Sequence, residues 1–345
     1  MSIRFVHETR PQRVRFGSGG AAAALAEEVA LLGAARVMVI TTASATAAAD
    51  RITAGLPVAL RYDDVAMHVP VEVAERARRA AADHEADALV SIGGGSATGL
   101  AKAVALTTGL PVVAVPTTYA GSEATDVWGL TEGARKTTGT DPRVLPRAIV
   151  YDAELTTSLP VPLSVASGVN ALAHCVDSMW APRTDPVDQA LALAGIRALR
   201  TGLPMVVADP GDLAGREHAL YAAYLAAVAF ASAGSGLHHK ICHVLGGMFG
   251  LPHAQTHAVV LPHVLAFNGP AAPDAARRIA DALDMSLPVL LDLLDAPKAL
   301  RDLGFAESAI PSAVEVILPA VPAGNPRPVT ADDMTALLHA AWEGR

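Results

Sequence analysis

The first half of the chain alternates short, continuous apolar runs with alanine-rich segments that have the composition of helices. The apolar runs cover residues 37–40, 88–92, 112–115 and 148–151. The alanine-rich segments cover residues 21–32, 71–84 and 98–108. Continuous apolar strands separated by helices are typical of a parallel sheet that is covered on both faces. We therefore predict such a sheet, with ligands bound at the carboxyl ends of its strands.

The sequence changes character after residue 152. From residue 165 onward the pattern is almost entirely helical, and prolines and glycines separate the segments. A chain of 345 residues usually exceeds what one hydrophobic core can support, so two domains are expected. The sequence predicts an α/β dinucleotide-binding domain with a parallel sheet over residues 1–157 and an all-α catalytic domain over residues 158–345.

Charge and apolar content exclude several kinds of protein. The 34 Asp and Glu residues outnumber the 26 Lys and Arg residues, and no basic run occurs, which argues against nucleic-acid binding. Residues 219–237 are uncharged and apolar, but they include tyrosines, serines and glycines and predict a buried helix instead of a membrane span. The N-terminal residues lack the apolar block of a signal peptide, and Cys175 and Cys242 lie far apart. We expect a cytoplasmic protein with two buried thiols.

A glycine-rich turn separates one apolar run from the helix that follows it. Its residues are Gly93, Gly94, Gly95 and Ser96. Glycines let the backbone approach a diphosphate, and the helix N-terminus offers free N–H groups and a positive dipole end. We expect Ser96 to cap the helix and to donate to phosphate. The spacing matches neither the G-x-G-x-x-G fingerprint nor a Walker loop, so a tight structural turn is the alternative.

Hydroxyl side chains follow two other apolar runs at the points where strands should end. Thr117, Thr118 and Ser122 follow the run 112–115 and suit contacts with ribose or nicotinamide. Thr41 and Thr42 follow the run 37–40. A carboxylate at that position would select NADH by repelling the extra phosphate of NADPH. Because only hydroxyls are present, we expect both cofactors to be used.

Half of the histidines are concentrated in one short segment. Six of the twelve lie between His238 and His263. His239 and His243 are four residues apart, as are Asn170 and His174 further upstream, so each pair shares a helical face. The pattern predicts an active site formed by His174, His239, His243 and His253, with general acid chemistry, metal binding or both. Histidines packed in a core are the alternative, and we expect His238, His257 and His263 at the surface or behind the site.

Taken together, these motifs resemble the iron-containing alcohol dehydrogenase family over nearly the whole chain. The elements that carry the resemblance are the turn 93–96, the segment 116–123, the helix with Asn170 and His174, and the set of His239, His243 and His253. The resemblance implies an N-terminal dinucleotide-binding domain, a C-terminal helical domain, and a homodimer.

In metal-using members of that family, one Asp and three His hold iron or zinc. Carried over by position, the ligands would be Asn170, His174, His239 and His253, so an amide stands where a carboxylate is expected. Gly99 stands where metal-using members usually have Asp. An amide is a much poorer ligand than a carboxylate for a divalent ion. Both departures resemble the maleylacetate reductase branch, as do the segments 119–125 and 129–143, and imply that no metal is required.

The resemblance implies that NADH or NADPH reduces the C=C bond of maleylacetate, a dicarboxylate, to 3-oxoadipate in the catabolism of aromatic compounds. We expect His243 and His253 to supply enolate stabilisation and the proton, in an order that the sequence leaves open. His174, His239 and Asn170 would then orient the substrate, and Lys136 and Lys240 are possible partners of its carboxylates. The alternatives are a metal-dependent alcohol dehydrogenase, a lyase or cyclase that uses bound nicotinamide, and a nucleotide sensor without activity.

Overall fold

The chain forms two compact units in the structure, which is a computed structural model. The model describes residues 3–133 and 135–345, except for the side chains of Arg135 and Lys136. One unit covers residues 9–159, and the other covers residues 160–345 together with the N-terminal segment 3–8. The sequence predicted a domain boundary between residues 157 and 158, with the N-terminal segment in the α/β domain. In the structure the N-terminal segment groups instead with the helical unit, to which polar contacts of His7 attach it.

The α/β unit is built on a six-stranded parallel sheet, as predicted. The strands of this unit are β1 (Arg13–Phe16), β2 (Val37–Thr41), β3 (Val58–Tyr62), β4 (Ala88–Gly93), β5 (Val112–Pro116), β6 (Val127–Glu132), β7 (Arg135–Thr140) and β8 (Ala148–Tyr151). The sheet has the order β1-β8-β5-β4-β2-β3, while β6 and β7 pair separately as an antiparallel hairpin. The sequence missed β1, β3 and the hairpin, since their residues are only partly buried or exposed and carry polar side chains.

Four helices cover the two faces of this sheet. They are α1 (Ala21–Leu31), α2 (Thr46–Thr53), α3 (Val71–Asp83) and α4 (Gly95–Thr108). Alternate residues of β2 point to opposite faces: Val37 and Val39 pack with α1 and α2, whereas Met38 and Ile40 pack with α3 and α4. Burial on both faces explains why the central strands read as continuous apolar runs in the sequence.

The second unit contains helices and connecting loops, and no strand, among its described residues. Its helices are α5 (Val161–Ser178), α6 (Pro186–Ala208), α7 (Leu213–Ala233), α8 (Leu237–Phe249), α9 (His253–Asn268), α10 (Pro273–Leu283), α11 (Leu287–Leu293), α12 (Ile310–Ile317) and α13 (Ala331–Glu343). Small residues let α6 and α7 approach closely, since a Cβ on Gly202 would lie 2.6 Å from the carbonyl oxygen of Gly215. The apolar stretch 219–237 lies in α7 and the start of α8, and most of its residues are buried.

One helix among the described residues has the length and apolar character of a membrane span. It is α6, and half of its most apolar window is buried inside the protein. Helices α7 and α8 meet the same criteria only as a pair, and they are bent by 100° relative to each other. Because α6 packs against α5, α7 and α10, its apolar residues have the environment of a core helix.

A histidine attaches the N-terminal segment to the helical unit. The Nδ1 atom of His7 lies 2.8 Å from Oδ2 of Asp185 and 3.7 Å from Oδ1 of Asp188. Asp185 also caps α6 by accepting hydrogen bonds from the backbone N–H groups of Val187 and Asp188. The side chains of all three members of this cluster are at least 89% buried. The imidazole therefore gives buried Asp185 a hydrogen-bond partner and lies beside buried Asp188.

Replacing His7 with Ala is expected to destabilise the helical unit by about 2 kcal/mol, because two buried carboxylates lose a partner. The shift in the midpoint of urea unfolding, followed by circular dichroism, measures the effect. His218 is exposed on α7, so His218→Ala serves as the control and should leave the midpoint unchanged. Equal midpoints for both variants would contradict a stabilising role for His7.

Candidate active site

The predicted cofactor residues meet at one edge of the sheet. Strands β2, β4 and β5 are neighbours, and their last residues are in register, with Thr41 opposite Ile92 and Gly93 opposite Pro116. The backbone N–H of Thr117 donates to the carbonyl oxygen of Gly93 at 3.0 Å. The connections from β2 and β4 lead to opposite sides of the sheet, so this edge is a topological switch point, where α/β sheets bind ligands.

The glycine-rich turn leads directly into α4. Gly94 is the N-cap residue, and the helix begins at Gly95. A Cβ on Gly94 would lie 2.9 Å from Cγ2 of Thr118, so no larger residue fits without a shift. Ser96 is already the second residue of the helix and makes no capping hydrogen bond, so its predicted capping role is wrong. The N–H groups of the first helical turn can therefore bind a phosphate.

Gly99 lies against the segment between β3 and α3. A Cβ on Gly99 would be 3.0 Å from Cγ2 of Val69. Val69 has a φ of 48°, a conformation that β-branched residues rarely adopt, and its carbonyl oxygen accepts a hydrogen bond from the N–H of Thr131. A side chain at position 99 would therefore need Cγ2 of Val69 to give way by a few tenths of an ångström.

The loop after β5 contains a buried lysine contact that the sequence analysis missed. Gly121 has a φ of 77°, and residues 122–124 form a single 3-10 turn. Ser122, one of the predicted cofactor residues, is the first residue of this turn. The ammonium group of Lys102, on α4, donates to backbone oxygens of this loop. Burial lowers the pKa of Lys102 to about 7. Burial also raises the pKa of the Glu123 carboxyl group, which accepts a hydrogen bond from the Tyr151 hydroxyl at 2.8 Å.

In the helical unit, the four predicted histidines form a continuous series of neighbouring rings. The rings of His174 and His239 are stacked with centroids 4.8 Å apart. His243 follows at 6.0 Å from His239, and His253 at 6.5 Å from His243. Asn170 lies one helical turn before His174 on α5 and is 2% exposed, and its Oδ1 atom has no hydrogen-bond partner among the described residues. Helices α5, α8 and α9 thus bring all five predicted residues of this unit together.

Burial divides the series into an inner and an outer pair. His174 and His239 are buried, whereas His243 is partly buried and His253, the first residue of α9, is exposed. Burial lowers the pKa of His174 to about 4. Burial, reinforced by the neighbouring histidines, holds the pKa of His239 well below its usual range. The inner imidazoles are therefore neutral at neutral pH, and the outer two are the histidines that solvent reaches.

Asp177 orients His239 and was missed by the sequence analysis. Its Oδ2 atom lies 2.7 Å from Nδ1 of His239 and accepts hydrogen bonds from the backbone N–H groups of Gly236 and His239. Burial raises the pKa of this carboxyl group to about 7. An ionised Asp177 accepts a hydrogen bond from Nδ1–H and leaves Nε2, which has no hydrogen-bond partner among the described residues, to act as an acceptor. Asn170, His174 and Asp177 share one face of α5, and this spacing was the available signal.

Replacing Asp177 with Asn is expected to lower kcat about a hundredfold, because an amide can donate to Nδ1 and so favours the wrong tautomer of His239. Steady-state oxidation of NADH measures the effect. Asp212 caps α7 in the same unit, so Asp212→Asn is the matched control and should change kcat less than about twofold. Asp177 has no orienting role if D177N retains the kcat of the parent protein.

His238 and His257 form a second, fully buried pair beside this series. The Nε2 atom of His238 lies 2.9 Å from Nδ1 of His257, and both residues are inaccessible to solvent. The sequence predicted these two histidines either at the surface or behind the site. The surface position is wrong because both are fully buried, and they lie beside the histidine series. His263 is partly buried on α9. Glycines at 246 and 247 lie inside α8, which continues to Phe249.

Both cysteines are buried free thiols, as predicted. Cys242 lies 3.7 Å from Nε2 of His238, and burial raises the pKa of both thiols. Lys240 is partly buried on α8, and the side chain of Lys136 lies outside the described residues.

The four positions carried over from the family hold three histidines and an amide in place of a carboxylate. Two groups among the described residues bring three ligand atoms within 4.8 Å of one another. One consists of His238, His239 and His257, and the other of His7, Asp185 and Asp188. The set carried over from the family, His174, His239 and His253, is neither of them, and Asn170 supplies an amide in place of a carboxylate. An amide adds no negative charge to balance a divalent ion.

Family models match almost the entire chain. A model of iron-containing alcohol dehydrogenase matches residues 11–153, and a model of the C-terminal part of the Fe-containing alcohol dehydrogenase family matches residues 164–342. The maleylacetate reductase of Pseudomonas knackmussii is 45% identical over 351 residues, which cover 99% of each chain.

Solved structures have the same fold. An iron-containing alcohol dehydrogenase from Corynebacterium glutamicum is 58% identical with a TM-score of 0.97, over 100% of this chain and 98% of that one. A maleylacetate reductase from Agrobacterium tumefaciens is 40% identical with a TM-score of 0.93, over 99% of both chains.

Proposed function

Because this chain belongs to the iron-containing alcohol dehydrogenase family, we propose that it is a maleylacetate reductase that uses NADH or NADPH to form 3-oxoadipate. The observation that carries the proposal is its full-length similarity to maleylacetate reductases, 45% identical in one case and 40% in another that has the same fold. Asn170 and Gly99, which depart from the pattern of metal-using members, support the same branch of the family.

The cofactor binds with its diphosphate at the glycine-rich turn. The N–H groups at the start of α4 receive the phosphates, and the hydroxyls of Thr117, Thr118 and Ser122 contact the ribose or the nicotinamide. Thr41 and Thr42 place no carboxylate beside the adenosine ribose. Both NADH and NADPH are therefore accepted.

The reaction is a conjugate reduction. Maleylacetate has a C=C bond conjugated with a ketone, and hydride from the nicotinamide adds to the carbon remote from that ketone. The electron pair of the C=C bond shifts to form an enolate, with negative charge on the ketone oxygen. A proton then adds to the carbon next to the ketone, which yields 3-oxoadipate and the oxidised cofactor. The site must therefore stabilise an oxyanion and supply one proton.

His243 and His253 meet these two requirements. They are the outer pair of the histidine series, so solvent can replenish the proton that the donor gives up. The inner imidazoles of His174 and His239 are neutral and act as hydrogen-bonding groups that hold the substrate. The amide of Asn170 can donate to a carboxylate or ketone oxygen, which an Asp could not do. No step of this proposal requires a metal, and Asn170 adds no negative charge that would balance a divalent ion.

Substrate preference tests the assignment. Purified protein with NADH is assayed with maleylacetate and, in parallel, with small aldehydes, and mass spectrometry identifies the product. We expect rapid oxidation of NADH with maleylacetate, formation of 3-oxoadipate, and little turnover of aldehydes. Faster turnover of aldehydes than of maleylacetate would assign the protein to the alcohol dehydrogenases of the family instead.

A further inference from the structure

Lys102 connects the phosphate-binding helix to the loop that follows β5. We propose that it is a positioning residue: it fixes the loop 122–127 relative to the glycine-rich turn, so that a cofactor held by its diphosphate presents its nicotinamide correctly for hydride transfer. The proposal rests on the proposed function, since it assigns a task within that cofactor site. Lys102 itself touches neither the substrate nor the reacting atoms in this account.

The contacts of Lys102 all reach one short segment of backbone. Its Nζ atom donates to the carbonyl oxygen of Ser122, to the carbonyl and hydroxyl oxygens of Thr125 at 2.8 and 3.0 Å, and to the carbonyl oxygen of Val127 at 2.9 Å. Lys102 lies two helical turns into α4, and the residue is 1% exposed. The ammonium group thus closes the loop around itself and attaches it to the helix whose first turn binds phosphate.

A purely space-filling role does not require a lysine at this position. Burial of an ammonium group is costly, and among the described residues Lys102 makes no ion pair within 4.0 Å. The carboxylates of Glu123 and Asp126 act on it only at longer range. An apolar side chain would avoid this cost but would leave the loop carbonyls without donors. The N–H groups of Lys102 therefore supply hydrogen bonds that the loop carbonyl oxygens accept.

Other contacts hold the same loop from different directions. The side-chain amide of Gln12 donates to the carbonyl oxygen of Glu123 at 2.8 Å, and the Tyr151 hydroxyl donates to the Glu123 carboxyl group. Neither residue belongs to α4. Among the described residues of α4, Lys102 is the one whose side chain hydrogen-bonds to this loop, and loss of its donors leaves the anchors from Gln12 and Tyr151 in place.

This arrangement predicts that affinity and chemistry respond differently to loss of Lys102. The N–H groups of the turn hold the diphosphate and remain intact, so affinity for NADH should change little. The loop carries Ser122 on the nicotinamide side, and a displacement of about 1 Å there costs about a hundredfold in rate. A positioning role therefore predicts slower hydride transfer with nearly constant affinity for NADH.

The test compares Lys102→Gln with the parent protein in single-turnover oxidation of NADH by maleylacetate, with rates expressed per NADH-binding site. NADH affinity is measured by the fluorescence of the bound cofactor. We expect the hydride-transfer rate to fall about a hundredfold and the Kd for NADH to change less than about threefold. Thr125→Val removes one acceptor of Lys102, together with the hydrogen bonds that the same hydroxyl donates to the Ser122 carbonyl oxygen and accepts from the Val127 N–H. It keeps the side-chain shape, so it should lower the rate about fivefold, and it carries the test if K102Q does not fold.

Arg78→Met is the matched control. Arg78 donates from α3 to the carbonyl oxygen of Ala103 on α4, so its loss lowers stability at the same helix without touching the loop. R78M should lower Tm and leave the rate per binding site unchanged. The proposal is overturned if K102Q has a lower Tm but the hydride-transfer rate of the parent protein. If K102Q does not fold, a T125V protein with the parent rate overturns it. If the parent protein binds NADH but does not reduce maleylacetate, the proposed function is wrong, and this inference, which rests on it, is wrong as well.

Discussion

Replacing His253 with Gln is expected to lower kcat for maleylacetate reduction by about a hundredfold or more. Glutamine keeps the polarity of the side chain, but it cannot transfer a proton and cannot carry the positive charge that stabilises an enolate. Loss of a general acid typically costs about a hundredfold to ten-thousandfold in rate, and loss of an oxyanion donor costs about a hundredfold to a thousandfold. His243→Gln should produce a loss of similar size, because the two residues share these tasks.

Steady-state kinetics with saturating NADH measures both variants. His263 lies on the same helix as His253 but outside the histidine series, so His263→Gln is the matched control and should retain kcat within about twofold. Retention of full activity by both H253Q and H243Q would show that the outer histidines do not perform the chemistry.

Replacing Gly94 with Ala is expected to raise the Kd for NADH about a hundredfold. A Cβ on Gly94 would be 2.9 Å from Cγ2 and 3.3 Å from Oγ1 of Thr118, so either the turn or Thr118 must move. Gly94 has a φ of −83°, which any residue can adopt, so the effect arises from lost space and not from backbone strain. Displacement of the turn moves the N–H groups that bind the diphosphate.

A second substitution can separate steric displacement from other causes. Thr118→Ser removes Cγ2 and keeps the hydroxyl, so the double variant G94A/T118S should recover most of the lost affinity, as measured by NADH fluorescence. Gly20 precedes α1 in the same unit and has open space around it, so Gly20→Ala should leave the Kd unchanged. An unaltered Kd for G94A would mean that the turn does not bind the cofactor.

The sequence predicted the central part of the fold because the signals there were local and strong. Strands β2, β4, β5 and β8 are buried and therefore continuously apolar, and α1 and α3 begin at the residues that the sequence indicated. Edge strand β3 contains the exposed Arg61, so its pattern is interrupted. The attachment of residues 3–8 to the helical unit depends on His7 meeting carboxylates about 180 positions away, which no local pattern reveals.

The sequence singled out the histidines that the structure brings together, but not the residues that contact them from behind, and their roles in catalysis stay a prediction. Clustering identified the histidines because several ionisable side chains recur within a short segment. Asp177 and Lys102 act through neighbouring side chains or backbone, and neither belongs to a cluster in the sequence. The contact between His238 and His257 joins two helices, so only the structure reveals it. The predicted homodimer stays a prediction, for which light scattering is the direct measurement.

The most direct measurement of the central claim is turnover of maleylacetate by protein stripped with a strong chelator, with residual iron and zinc determined by elemental analysis. The account predicts that kcat per NADH-binding site is unchanged after stripping and does not rise when iron or zinc is restored, since imidazoles and not a metal stabilise the enolate. Loss of activity on stripping, with recovery on addition of iron or zinc, would contradict it and would mean that a metal binds at this site despite Asn170.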